Sequence, residues 1–235
     1  MVIIVSKEEK KTILACFPHA DDEISCVGTM ANHVAKGDRV VLCFATHGEM
    51  TSLFGDNVTV DDIITAREEH AATVSKIVGC EVMFLDYEDT EVEITRKNAK
   101  KLAKVLCEIK PDAIITWNVF HRHPDHRSIA QLLIDAGVMA RIPRVVEPLE
   151  PHRKDLTYIQ YYDERALLPA VYVDVSESID KIREVTQCYA DTYGWKGAVE
   201  RVVARRQSLG MDCDVEYAEK FTILRRRAKP VKYII

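Results

Sequence analysis

The stretch TILACFPHADDE, from Thr12 to Glu23, decides the fold. Its first six residues form a short apolar run, and the next six switch to a turn carrying His19, Asp21, Asp22 and Glu23. A short apolar run closed by a proline turn reads as a buried strand. The residues that follow, roughly Ile24–Lys36, are expected to form a helix ended by Gly37 and Asp38. Strand, polar loop and helix in that order open a βα unit.

The same alternation recurs outward along the chain. Val40–Ala45 reads as the second strand, and a long loop through Gly48 and Gly55 leads to a helix over Asp61–Val78, stopped by Gly79. Ile63, Ile64, Ala71, Val74, Ile77 and Val78 give that helix its apolar spacing. Val82–Leu85 is the third strand, and Thr95–Ile109 is a basic amphipathic helix with Thr95 as its N-cap. Pro111 breaks it before strand four, Ala113–Trp117, after which His126–Ala140 is expected to be helical. Further on, Leu156–Tyr162 and Ala170–Val175 read as strands, Ser176–Tyr189 as a helix capped by Ser176, and Val199–Gln207 as a last helix. This order predicts an α/β protein, a Rossmann-like three-layer αβα sandwich around a mostly parallel sheet. No repeat or linker divides the 235 residues, so a single domain over 1–235 is expected.

Lys and Arg number 32 against 37 Asp and Glu, a formal charge of −5 that gives no reason to expect nucleic acid or an anionic membrane as partner. The N-terminal MVIIVSKEEKKTILACF lacks the continuous apolar core of a signal peptide, and no later run is long enough to span a bilayer. A cytoplasmic location is therefore expected. Cys16, Cys26, Cys43, Cys80, Cys107, Cys188 and Cys213 form no C-x-x-C pair and are expected to be free thiols in a reducing compartment.

In open α/β sheets, ligands bind in the crevice beyond the carboxyl ends of the strands. After strand one stand His19, Asp21, Asp22 and Glu23; after strand two, His47 and Glu49. Strand three is followed by Asp86, Glu88 and Asp89, and strand four by His121, His123, Asp125 and His126. Acids often cap helices, but capping does not require a histidine or carboxylate at nearly every strand end. Imidazole nitrogen and carboxylate oxygen suit zinc, and a catalytic zinc keeps three protein ligands plus water. His19 and Asp22, three apart in a loop, can turn onto one ion, and His126 at the next helix start can supply a third ligand. Asp21 then stands beside the metal, placed to take a proton from water. Ligand type alone does not separate zinc from iron or cobalt.

PHADDEISCVGTM resembles the P-H-P-D-D-E…G-G-T signature, and HPDHR the second metal motif, of the LmbE-like, or PIG-L, family of N-acetylglucosaminyl deacetylases. Weaker likenesses in THGEM, Arg67, Asp86, YVDVSESIDKIREV and YAEKF extend the resemblance from about Thr12 to Phe221. It implies the LmbE-like fold and a zinc-dependent hydrolase that removes an N-acetyl group from an amino-sugar-like small molecule. By that resemblance His19, Asp22 and His126 hold zinc and Asp21 is the general base. His123 stabilises the oxyanion or protonates the leaving amine, in imidazolium form, and Asp125 orients it. Glu49, Arg67 and Asp86 match positions that contact sugar hydroxyls. The family also implies a homo-oligomer, trimer or hexamer.

There are departures. Ala20 replaces the usual proline, Val27 stands where glycine is common, His70 falls where glutamate is frequent, and His47 is unusual in its segment. The last three bear on the substrate, and the roles of His47, His70 and His121 stay open. His33 and His152 are expected to be ordinary structure, and the basic run Arg225–Lys229 a solvated terminal segment or subunit contact. A conjugate amidase or secondary-metabolite deacylase would use the same chemistry. A non-catalytic nucleotide-binding module is a reading from another class. Against it, the loop after strand one lacks G-x-G-x-x-G and carries acids that would repel phosphate.

Overall fold

The computed structural model of the protein describes residues 9–55 and 57–225. The first apolar run of the N-terminus, and the basic run beyond Arg225, lie outside the described residues. The chain begins with β1 (Thr12–Phe17), α1 (Val27–Lys36), β2 (Arg39–Phe44), α2 (Val60–Val78) and β3 (Glu81–Phe84). Next come α3 (Arg96–Ile109), β4 (Ala113–Thr116), α4 (Pro124–Met139), the short α5 (Pro143–Val146) and β5 (Thr157–Tyr161). It closes with β6 (Ala170–Asp174), α6 (Ile179–Tyr193), α7 (Ala198–Met211) and β7 (Ala218–Arg225).

The seven described strands form one sheet in the order β3-β2-β1-β4-β5-β7-β6. All neighbours from β3 to β5 are parallel, whereas β7 runs antiparallel to both β5 and β6. Alternate side chains of each strand point to opposite faces. Leu14 and Cys16 therefore join Leu102, Leu106, Ile129 and Leu133 of α3 and α4 in one core. Ile13, Ala15 and Phe17 join Met30, Val74, Ile182 and Tyr189 of α1, α2 and α6 in the other. Each such large apolar side chain contributes about 1.5–3 kcal/mol when fully buried. The result is the expected αβα sandwich. Among the described residues, no helix is long and apolar enough to cross a membrane.

Chain order turns back at β1, whose neighbours are β2 and β4. The loops after β1 and β4 thus leave the same edge side by side, at the switch point where such sheets bind ligands.

Several boundaries differ from the sequence reading, each for a local reason. The expected helix Ile24–Lys36 is split: Asp22–Ser25 form a 3-10 turn, and the α-helix starts only at Val27 after Cys26 leaves helical geometry. The helix expected from His126 starts at Pro124, where proline's missing N–H is harmless in the first turn. Ser176 does not cap α6, because its hydroxyl donates to Asp174 Oδ1 at 2.6 Å and a 3-10 turn intervenes. The last helix runs on to Met211. Strand β7 carries no clean apolar run in the sequence, since Glu219 and Lys220 interrupt its pattern.

Candidate active site

The loop after β1 is built by local hydrogen bonds. Asp22 Oδ2 accepts from the His19 N–H at 3.0 Å, while the Asp22 N–H donates to the His19 carbonyl at 3.3 Å. This reciprocal turn places both side chains on one side. The first N–H groups of α1 need acceptors, and Cys26 provides no side-chain cap. Glu219 of β7 supplies them, accepting from Gly28 N–H at 3.0 Å, Thr29 N–H at 2.9 Å and Thr29 Oγ1 at 2.6 Å. The loop after β2 folds against it through Thr46, whose hydroxyl donates to the Pro18 carbonyl at 3.0 Å. Gly48 has φ +65°, a conformation that side chains rarely adopt, and lies in contact distance of the Arg67 guanidinium.

At the edge these loops bring imidazoles and carboxylates together. His19 Nδ1 lies 3.2 Å from His126 Nε2 and 3.6 Å from Asp22 Oδ2, and His126 Nε2 lies 3.3 Å from Asp22 Oδ1. A tetrahedral ion with bonds of about 2.0–2.2 Å has donor atoms about 3.3–3.6 Å apart, and these pairwise separations lie close to that range, with Asp22 turning a different oxygen to each histidine. On the far side of the same ring, His19 Nε2 faces Asp89 Oδ1 at 3.0 Å and Asp125 Oδ2 at 3.5 Å. A carboxylate on the outer nitrogen is the usual support of a metal-bound histidine. His123 is a rival ligand: one ring nitrogen from each of His19, His123 and His126 lie within 4.8 Å of one another.

The charge balance points the same way. Asp22, Glu23, Asp89 and Asp125 are buried, Asp21 is largely so, and the buried guanidinium of Arg67 stands against them. Burial opposes a charged His19, but hydrogen bonds to Asp125 and Asp89 and the charge of Asp22 outweigh it, lifting its pKa to about 10. Burial raises Asp22 to about 7 and Glu23 to about 8, and it raises Asp21 against the pull of Arg67. Burial and the His19 charge lower both His126 and His123. The imidazolium form expected of His123 is thus disfavoured. Asp125 pulls the other way without reversing the shift.

Asp21, His123 and Arg67 line a cleft of about 220 Å³, together with His19 and Asp89 and the apolar Met50 and Leu53. Arg67 Nη1 holds Asp21 Oδ2 at 3.0 Å and also donates to the Ala20 carbonyl. Asp125 Oδ2 accepts from the Thr90 N–H at 2.8 Å rather than from His123, while Asp125 Oδ1 and His123 Nδ1 are both buried without a partner among the described residues. Glu49 Oε1 accepts from the Asp89 N–H at 2.8 Å, so Glu49 meets the cluster through Asp89.

Asp86 is not brought to the cluster. Its side chain is 99% exposed, with Lys101 Nζ at 4.0 Å. The extended pairing of β3 continues past its end, Leu85 N–H donating to Phe44 and Tyr87 N–H to Ala45. Leu85, Tyr87 and Asp89 therefore face inward while Asp86 and Glu88 face out. Asp89, one of the three acids after strand three, is the one that meets the cluster, and the alternation L-D-Y-E-D with two apolar partners is the signal for it.

The remaining histidines find structural partners. His47 stacks on Phe84 with centroids 4.5 Å apart and meets Glu68 at 3.2 Å. His70 Nε2 donates to Thr192 Oγ1 at 2.8 Å, since that hydroxyl donates onward to the Cys188 carbonyl; burial lowers its pKa to about 4. His121 stacks on His126 and lies tilted against Trp117. His33 pairs with Asp38, and His152 bonds the Pro111 carbonyl.

An αβα sheet with a histidine–carboxylate cluster and an acid beside it at the switch point has the make-up of an enzyme site. Residues 14–137 match the GlcNAc-PI de-N-acetylases, PIG-L, and the chain belongs to that family. It is similar to a diacetylchitobiose deacetylase of Thermococcus kodakarensis, 29% identical over 74% of this chain and 68% of the relative. A probable N-acetyl-alpha-D-glucosaminyl L-malate deacetylase 2 of Bacillus anthracis is 24% identical over 80% and 84%. A 4-oxalmesaconate hydratase of Pseudomonas putida is 23% identical over 89% and 88%. The N,N'-diacetylchitobiose deacetylase structure from Pyrococcus horikoshii superposes with a TM-score of 0.82 at 21% identity, covering 92% of this chain and 84% of that one.

Proposed function

We propose that the protein is a zinc-dependent N-deacetylase acting on an N-acetylglucosamine-type small molecule, with residues 1–235 as one catalytic domain. The observation that carries this reading is the set of 3.2–3.6 Å separations among His19, Asp22 and His126, with Asp21 beside them in the cleft. When bound by these residues, zinc supplies Lewis acidity and brings the pKa of water toward about 7. Asp21, its carboxyl raised by burial, accepts a proton from the attacking water, a contribution on the order of 10²–10⁴-fold. Arg67 fixes the direction of that carboxylate. His123 donates a ring N–H to the oxygen that gains charge, and a neutral ring fills this role; losing such a donor costs about 3 kcal/mol. Asp89, assisted by Glu49, orients His19 and reaches the cleft where the sugar would lie.

Homo-oligomerisation and a cytoplasmic location are part of the proposal, the second supported by seven free cysteines. Water addition is the second reading, because the hydratase relative matches a larger share of this chain than either deacetylase relative. The test is release of acetate and free amine from a panel of N-acetylglucosamine compounds, beside Asp21→Asn and an unsaturated dicarboxylate as hydratase control. Turnover of an N-acetyl sugar, lost in the variant, supports the deacetylase. Hydration of the control alone would replace it.

A further inference from the structure

Asp21 has φ 135° and ψ −18°, outside the regions open to an ordinary L-residue. Such a backbone is strained and persists only where surrounding contacts over-determine it. One contact is Arg67, on the Asp21 carboxylate and the Ala20 carbonyl. The other is Glu23. Its Oε2 accepts from the Asp21 N–H at 2.9 Å, and its Oε1 accepts from the Tyr189 hydroxyl at 2.6 Å. Glu23 is fully buried and does not line the cleft, and Tyr189 is fully buried in α6. A carboxyl taken wholly out of water needs hydrogen bonds on both oxygens, and these two contacts place one donor on each.

We propose that Glu23 is a positioning residue for Asp21: anchored by Tyr189, its buried carboxyl holds the Asp21 backbone in the conformation that presents the Asp21 carboxylate to the cleft. The inference rests on the reading of Asp21 as the proton acceptor. It also ties the ligand-bearing loop to α6, 166 residues along the chain. A displacement of about 1 Å in a reacting group can lower turnover on the order of 10²-fold without touching substrate.

The test compares E23A, E23Q, Y189F and D21N in the zinc-loaded protein, measuring kcat, KM and metal content. E23A removes both hydrogen bonds and is expected to lower kcat about 10- to 100-fold while KM and zinc content hold. E23Q keeps an oxygen acceptor for the Asp21 N–H and restores most of that loss. Y189F removes only the anchor, is expected to lower kcat several-fold, and carries the test if E23A does not fold. Undiminished kcat in E23A and Y189F, loss of zinc in step with activity, or no rescue in E23Q would each overturn the proposal. D21N separates the two claims. If D21N keeps full turnover, the reading of Asp21 fails; if D21N is inactive while E23A and Y189F are unimpaired, only the positioning role fails.

Discussion

Arg67 Nη1 lies 3.0 Å from Asp21 Oδ2 and donates as well to the carbonyl of Ala20, so one buried guanidinium fixes both the side chain and the approach of the candidate base. Its plane is held over the Tyr193 and Phe54 rings, 5.1 and 5.8 Å from their centroids. Lysine keeps the charge but neither the fork nor the stacking. Arg67→Lys is therefore expected to lower kcat about 10- to 100-fold with little change in KM. Steady-state kinetics check this; a raised KM at full kcat would make Arg67 a substrate contact instead.

The outward Asp86 and inward Asp89 make a matched pair. Asp89→Asn weakens the acceptor on His19 Nε2, and kcat/KM is expected to fall about 10- to 100-fold, the usual consequence of losing a metal ligand's support. Asp86→Ala stays within about twofold of wild type, as distant surface changes do. Equal losses in both would mean that the loop after β3 moves on binding substrate.

A Cβ on Gly28 would meet Val175 Cβ and Cγ1 at 2.6 Å and Ile182 Cδ1 at 3.0 Å. Gly28→Ala is expected to destabilise the protein by about 1–3 kcal/mol through overpacking at the start of α1. Chemical denaturation measures it, and unchanged stability would show that this junction is loose.

Acid should loosen the foot of β1. Asp112 accepts from the Thr12 N–H at 2.9 Å and from Lys154 Nζ at 3.0 Å; burial pushes its carboxyl up, but these donors outweigh it and hold the pKa below the usual value. Asp38 is lowered in the same manner by His33 and the Lys11 N–H. A folded pKa below the unfolded one means that the unfolded chain binds the proton more readily. Their stabilisation is thus full above the unfolded value of about 3.9 and is lost as pH falls through the lower folded values. Asp112→Asn should lower Tm at neutral pH, with the gap closing below about pH 3. A gap that persists unchanged in acid contradicts the linkage.

Periodicity made β1 to β4 and their helices legible, because each strand is a short apolar run ended by a sharp change to polar residues. The same change located His19, Asp21, Asp22, His123 and His126 at one edge. Asp89 was legible too, through the alternation that buries Leu85 and Tyr87. What lies beyond sequence reading is long-range pairing. Nothing local marks Glu219 as the acceptor for α1 about 190 residues away, or Tyr189 as the partner of Glu23. The positive-φ backbone of Asp21 meets Arg67, and Glu23 backed by Tyr189, so residue type gives no hint of it.

The most direct measurement is metal content per chain, by elemental analysis after metal-free purification and zinc reconstitution, paired with acetate release, for wild type, His126→Ala and His123→Ala. The account predicts about one zinc per chain in wild type and His123→Ala, depletion in His126→Ala, and turnover in wild type alone at full rate. Zinc retained in His126→Ala but lost from His123→Ala would reassign the ligand set, and a wild-type protein that binds no metal after reconstitution would contradict the central claim.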